Sequence, residues 1–428
     1  MENMKFMDKL LDGAGVEWKT ISEIFHLKNG YTPSKTNNEY WKDGTVPWFR
    51  MEDIRENGQI LGNSLQKISD SAVKGGKLFP ANSIIISTSA TIGEHALITI
   101  PYLANQRFTC LVLKSEYIKN FDIKFLFYYC FLLANWCKKN TTKSSFSSVD
   151  MDGFRKFEIP IICPENPEKS LKIQAEIVRI LDKFTALITE LITELTLRKK
   201  QYNYYREQLL SFKEGEMEWK TLGDVCNFKN GFAFKSNLFL DTGLPIVRIT
   251  NINGSSVDLT NVKYFSPSDY KENIQSYAIK SGDILIAMSG ATTGKIGCFD
   301  SNETAYINQR VGKFIPNNEL LNNRYLYHFL LSKTEEIYIL AGGGAQPNLS
   351  SKNLMEKILI PIPIPYADDP IKSIAEQKKI ANILDKLNTL THSITEGIPR
   401  EIELRQKQYA YYRNLLLSFP KPEAEDVQ

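Results

Sequence analysis

One repetition limits what this chain can fold into more than any other feature of it. Residues 198–212 read RKKQYNYYREQLLSF and residues 405–419 read RQKQYAYYRNLLLSF, 11 of 15 positions identical and 207 residues apart in a chain of 428. Other landmarks recur in the same order. Glu17-Trp18-Lys19-Thr20 returns as Glu218-Trp219-Lys220-Thr221, and Lys28-Asn29-Gly30 as Lys229-Asn230-Gly231. PWFRMEDI (47–54) matches PIVRITNI (245–252), NSIIISTSATIG matches GDILIAMSGATTG, and Asn105-Gln106-Arg107 matches Asn308-Gln309-Arg310. ILDK stands at 180–183 and at 383–386. A shared order of landmarks along the whole chain means a tandem duplication with diverged interiors.

Each half follows one plan. Short β-branched runs (Ile84 to Ser87, Ile284 to Ala287, Phe108 to Leu113) lie between Gly, Asn and Ser turns, with one helical run per copy, Ile123 to Trp136 and Arg324 to Leu340. A proline-punctuated strand closes this part, and a long helix follows. Asn166-Pro167 and Asp369-Pro370 mark its start, a capping side chain before a proline whose missing N–H is harmless at the first helical position. The predicted fold class is α+β (mixed α/β). The predicted divisions are an N-terminal extension 1–16, a first domain 17–164, a central helical region 165–214, a second domain 215–367 and a C-terminal helical region 368–428.

The first long helix carries apolar residues at Ile173, Ile177, Ile180, Phe184, Ile188, Leu191, Leu195, Tyr202, Tyr205, Leu209 and Phe212, with Arg198 in the one vacant heptad position. Most steps are three or four, so the stripe lies on one face for about 60 Å and needs a partner helix. The second copy can supply it through Ile380, Ile383, Leu387, Leu390, Ile394, Tyr409, Tyr412, Leu416 and Phe419. There EGIP (396–399) adds residues whose Gly397 and Pro399 should kink or break the helix. The first copy has instead LITELITEL (187–195), two copies of a four-residue unit.

Composition sets outer bounds. With 43% hydrophobic and 24% charged residues and a formal charge of +3, the chain reads as an ordinary globular protein whose basic surface, if any, is local. The most apolar stretch, Phe125 to Cys137, is too short to span a bilayer. Six cysteines form no CxxC pair and four histidines lie far apart, which points to a reduced, cytoplasmic chain without a metal site.

Two diverged domains, each followed by a preserved helix with ILDK and KQY.YYR..LLSF, resemble the specificity subunit of type I restriction-modification enzymes. The repeated Thr-Glu-Leu points to the type IC-like branch, and GGGAQPNLSSKNLMEKILIPIP (342–363) resembles the end of a target-recognition domain. The first half lacks the Gln-Pro-Asn-Leu core at its counterpart, 143–161. The resemblance implies two target-recognition domains related by an approximate two-fold axis, each reading half of an asymmetric bipartite site in double-stranded DNA. It implies antiparallel helices acting as spacer, two docked adenine methyltransferase subunits, and motor-nuclease subunits joining the complex. This chain would hold no cofactor; S-adenosylmethionine, ATP and magnesium would belong to the partners. A protein-assembly scaffold that reads no DNA is the alternative.

Base edges are read best by Arg, Lys, Asn and Gln, and phosphates by Lys, Arg, Ser and backbone N–H groups. Candidate contacts in the first domain are Lys35, Arg50, Arg55, Lys74, Lys77, Ser89, Arg107, Lys139 and Lys143. In the second they are Arg248, Asn251, Lys263, Ser289, Thr292, Lys295, Arg310 and Gln346. Arg50/Arg248 and Arg107/Arg310 recur in domains that would read different sequences, which suits structural or phosphate roles. Motifs for chemistry fail. GATTGK (290–295) is one residue short of a Walker A loop and is followed by Ile296, and no Asp/Asn-Pro-Pro-Tyr/Phe motif is present. Glu376-Gln377-Lys378 after Asp369 is a loose nuclease-like spacing on a helix.

Overall fold

The computed structural model describes residues 7, 9–142, 147–344, 347–365, 367–393 and 396–421. It divides into two compact units: the described residues of 1–189 with those of 404–428, and those of 190–403. The division falls inside the helices Pro167–Leu209 and Gly397–Leu416.

In the first unit, strands Phe25–Asn29, Phe108–Leu113, Ser83–Ser87, His95–Ile98 and Ile60–Leu61 form a five-stranded sheet in that order. A three-stranded sheet places Val46–Phe49 between Lys67–Ile68 and Leu103–Ala104. In the second unit, Cys226–Asn230, Val311–Pro316, Ile284–Ala287 and Ile296–Cys298 repeat the first arrangement, and Lys263–Phe265, Leu244–Val247 and Ala305–Ile307 the second, with Ala278–Ile279 added. Each unit also pairs its Glu-Trp-Lys-Thr strand antiparallel with its proline-rich strand, Trp18 opposite Pro160 and Trp219 opposite Pro361.

The expected β-branched runs sit at the centre because they are buried on both faces. Ile84 and Ile86 enter one core and Ile85 another; Ile284 and Ile286 are divided in the same way from Leu285 and Ala287. That is the period-two alternation of a strand between two apolar layers. The repeated threonine is a helix cap: Thr20 and Glu23, and Thr221 and Asp224, form reciprocal capping boxes. The repeated glycine is a close approach, since a β-carbon on Gly30 would strike the carbonyls of Ala104 and Asn105, and one on Gly231 those of Ile307 and Asn308.

The domain helix of the first unit runs Ile123–Lys139. Its counterpart differs from the expected single run: Asn323–Ser332 and Thr334–Leu340 are separate helices, divided at Lys333 (φ −104°, ψ 8°). His95 lies beneath the Ile123–Lys139 helix, 1% exposed against Phe127 and Phe131, with Nδ1 on the Gly93 carbonyl and Nε2, among the described residues, without a partner. Burial pushes its pKa from 6.5 down to about 4. The unfolded chain takes up this proton near pH 6.5 while the folded one resists it to about pH 4, so stability is lost as pH falls through that window. His95→Phe is expected to remove about 3 kcal/mol of that loss by pH 4, measured by denaturant titration between pH 7 and 4.

The first long helix is continuous from Pro167 to Leu209, 43 residues, and Asn166 Oδ1 accepts from Lys169 N–H at 3.0 Å. The second starts at Pro370 with Asp369 Oδ1 on Lys372 N–H at 3.0 Å and stops at His392; a new helix begins at Gly397 and ends at Leu416. The interruption ends within the expected EGIP, whose Gly397 opens the new helix with Pro399 in its first turn. Ile173, Ile177, Leu181 and Tyr202 are buried on the first helix, with Ile180, Phe184, Ile188, Leu191, Leu195 and Leu209 half-buried. Two expected packing residues face outward. Tyr205 is 42% exposed, edge-on to the exposed Tyr204, while Arg206, one turn after Tyr202, covers the Tyr202 ring. Ile383 is 40% exposed, since the face that packs runs Gln377, Ile380, Ala381, Leu384. Leu387, Tyr409 and Tyr412 are half-buried and Leu416 is buried; Ile394 lies outside the described residues. In the first unit Phe184 stacks on Tyr412 at 5.4 Å; in the second, Tyr202 meets His392 at 5.6 Å.

Candidate nucleic-acid interface

Each domain is seated on its helix by the same buried joint. Gln174 Oε1 accepts from Asp122 N–H at 2.9 Å, and its Nε2 donates to the Asn120 carbonyl and to Ser170 Oγ. Gln377 repeats this with Asn322 N–H at 2.8 Å, the Leu320 carbonyl and Ser373 Oγ. All four side chains are essentially inaccessible. Two turns on, the aspartate of ILDK reaches the domain helix: Asp182 meets Lys124 and Tyr128, and Asp385 meets Arg324 and His328 at the matching positions. Burial pushes the Asp385 carboxyl up, but hydrogen bonds from His328 and Arg324 outweigh it and hold the pKa at about 2. His328 Nδ1 accepts from Tyr202 OH at 3.0 Å, tying both long helices to the domain.

Away from these joints, loops gather the polar residues. In the first unit a cleft of about 560 Å³ brings together Lys35, Arg50 and Arg107 with Gln106, Trp41 and Trp48. Trp41 and Trp48 meet edge-on at 5.0 Å, and the Arg50 guanidinium lies 5.6 Å from the Trp48 ring. Lys74 and Lys77 line a different cleft with Lys28, Lys74 sitting 4.9 Å over Tyr31. Arg55 and Lys139 are exposed near the ends of their helices and join neither. In the second unit an open cleft of about 920 Å³ joins Ser289 and Arg310 with Asn230, Gln309 and Asn348. Arg248 and Thr292 are half-buried outside it, Lys263 lies in an edge strand, and Lys295 is exposed beyond the turn. Lys143 and Gln346 lie outside the described residues.

One candidate is corrected. Asn251 is 4% exposed and spends its amide on the protein: Oδ1 accepts from Arg248 N–H at 2.9 Å and Nδ2 donates to the carbonyls of Asp258 and Asn261. Asp53 does the same beneath Arg50, accepting from Arg50 N–H and Leu65 N–H. The recurrence of Arg50 and Arg248 thus marks a capped turn. GATTGK is also a turn, Gly290–Thr292 in a 3-10 helix with Thr293 Oγ1 on the Pro347 carbonyl.

Sequence reasoning missed how alike the two domain ends are. Ser89 bridges Ser148 as Ser289 bridges Asn348; Val149 N–H donates to Thr88 O as Leu349 N–H donates to Met288 O. The frame survives without the Gln-Pro-Asn-Leu core because backbone groups carry it. The Ser-Gln joint was missed as well, although Ser-x-x-x-Gln stands eight residues before the ILDK aspartate in both halves.

Among the described residues no group of His, Cys, Asp or Glu is placed to hold a metal, and no helix is long and apolar enough to cross a membrane. The family model for the type I restriction modification DNA specificity domain matches residues 14–197 and 214–404. The specificity subunit of the Escherichia coli type I restriction enzyme EcoprrI is 51% identical over 407 residues, covering 92% of this chain and 93% of its own. That of EcoR124I/EcoR124II, also from E. coli, is 36% identical and covers 99% of each. A solved type I restriction-modification S subunit from M. genitalium shares the fold at 18% identity, with a TM-score of 0.53 over 96% of this chain and 98% of its own. The duplicated domains, their helices and these relatives together place the chain in the family of type I restriction enzyme specificity subunits.

Proposed function

We propose that each unit reads one half of an asymmetric, split site in double-stranded DNA, that the long helices set the gap, and that the chain performs no chemistry of its own. The observation that carries this reading is the contrast within the duplication. Joints, caps and turns are kept position for position, while the side chains gathered around the repeated Gln-Arg differ: Lys35, Trp41 and Arg50 share a cleft with Arg107, and Asn230, Ser289 and Asn348 share one with Arg310. A frame that is kept and a surface that is not suit two readers of different sequences, as half-site spacing mirrors protein repetition in other DNA-binding proteins.

On this reading two adenine methyltransferase subunits dock on the repeated KQY.YYR faces, where Arg206 covers Tyr202 and Arg413 covers Tyr409 and Phe131. Motor-nuclease subunits complete the enzyme in the cytoplasm. S-adenosylmethionine, ATP and magnesium belong to those partners, and the Thr-Glu-Leu repeat supports a place in the type IC-like branch.

The test is co-expression with the cognate methyltransferase and genome-wide mapping of methylated adenines by single-molecule sequencing. A split, non-palindromic motif with a fixed gap is expected. Exchanging residues 17–164 for those of another family member should change one half-site and leave the other; a change in both would end the modular reading.

A further inference from the structure

We propose that Arg107 and Arg310 each anchor one backbone phosphate of the duplex, and that Asn348, in the same cleft as Arg310, discriminates a base of the second half-site. The inference rests on the DNA reading above.

The two arginines occupy one site built twice. Asn105 N–H donates to Phe49 O and Asn308 N–H to Val247 O, both at 2.9 Å. The turn closes through Phe108 N–H on Asn105 O and Val311 N–H on Asn308 O, and the arginine carbonyls accept from Thr88 and Met288 N–H. Gly30 and Gly231 back the turn so closely that no side chain fits there. A turn fixed at so many points presents its arginine from the same backbone position in both units, beside a different cleft in each. Both side chains are exposed at the edge of a cleft, and among the described residues no carboxylate pairs with either. A cation presented by the same turn in two readers of different sequences suits the part of the target that does not differ between them. Phosphates are the part of a duplex that both half-sites share.

Asn348 is the opposite case. Its backbone is as well held as the arginines', through Leu349 N–H on Met288 O, Gly290 N–H on Pro347 O and its own N–H on Ala341 O. Its side chain, however, is exposed and makes no hydrogen bond within the protein among the described residues. The matching residue of the first unit is Ser148, whose hydroxyl is engaged by Thr142 at 2.8 Å. In the second cleft Ser289 Oγ is also buried and, among the described residues, without a partner, a polar atom left for a ligand to satisfy. A carboxamide offers a donor and an acceptor side by side, the pair that matches an adenine edge in the major groove.

The experiment uses the complex co-assembled with its methyltransferase, wild type and with Arg107→Ala, Arg310→Ala or Asn348→Ala. Affinity for a duplex bearing the wild-type motif is measured across salt concentrations, and the methylated motif is mapped for each. Each arginine variant should bind roughly ten-fold more weakly, with the log–log salt slope reduced by about one and the motif unchanged. Arg107→Lys and Arg310→Lys should restore the slope. Asn348→Ala should keep the slope and lose about ten-fold discrimination at one base of the second half-site only. An arginine variant that altered the motif, or left the slope intact, would overturn the anchor; an unchanged motif in Asn348→Ala would overturn the reader. If the wild-type complex gave no split motif, the DNA reading itself would fall, and this inference with it.

Discussion

Deleting Leu187–Glu190, one unit of LITELITEL, should shorten the gap of the recognised site by between one and two base pairs and leave both half-site sequences as they are. Four residues of α-helix span about 6 Å and turn through about 400°, a net rotation of roughly 40°. Ten base pairs occupy about 34 Å, so the lost length is worth nearly two base pairs and the lost rotation about one. The helix should tolerate the deletion because the remaining unit has the same sequence as the one removed. It should also cost little stability: Leu187 is 37% and Ile192 47% exposed, so the segment contributes nothing fully buried to either core. The compact units meet inside this repeat, between Thr189 and Glu190, so the deletion changes connection and not content. Methylation mapping of the deletion complex reads the gap directly. An altered half-site with an unaltered gap would show that the helix is not the ruler.

What the sequence made legible follows from what repetition can reveal. A residue kept in both halves stands out, so Thr20 and Thr221 and the glycines at 30 and 231 were visible as landmarks, though not as a cap and a close approach; the interruption near Gly397 stood out for the opposite reason, as an insertion in one copy only. Periodicity gave the helices and their general face but not their rotation. In ILDK either of two adjacent apolar residues could be the buried one, and only the demand that Asp182 and Asp385 reach the domain helix selects Leu181 and Leu384 over their isoleucine neighbours. The same limit misplaced Tyr205, which lies exposed, edge-on to Tyr204. Residue type alone misread Asn251, because an amide that caps a turn and one that could read a base look identical in sequence. The cleft that unites Lys35, Arg50 and Arg107 joins residues up to 72 positions apart, a proximity created by strand pairing that no local pattern encodes.

Replacing Gln377 with leucine should be among the most damaging single changes in the second unit, at about 3 kcal/mol. Leucine fills nearly the same space, so the cost is polar. Asn322 N–H and the Leu320 carbonyl would remain buried with no partner, and each orphaned group costs about 1–3 kcal/mol. For a unit of this size that corresponds to a melting point lower by roughly 6–12 °C. Gln377→Glu should be no milder, since an ionised carboxylate at this fully buried position would face the Leu320 carbonyl with no proton between them. Gln174→Leu should do to the first unit what Gln377→Leu does to the second, leaving Asp122 N–H and the Asn120 carbonyl without their partner. The two costs should add, because the joints share no partner. Hydrogen exchange separates the cases: Gln377→Leu should speed exchange at Asn322 and the first turn of Asn323–Ser332 while the Asp122 region stays protected. The functional consequence follows from the seat these glutamines provide. A helix measures distance only if each reader is fixed to it, so loosening one joint should widen the range of gap lengths methylated without changing either half-site. Unchanged exchange at Asn322 in Gln377→Leu would mean that the aspartate joint at Asp385 holds the domain alone.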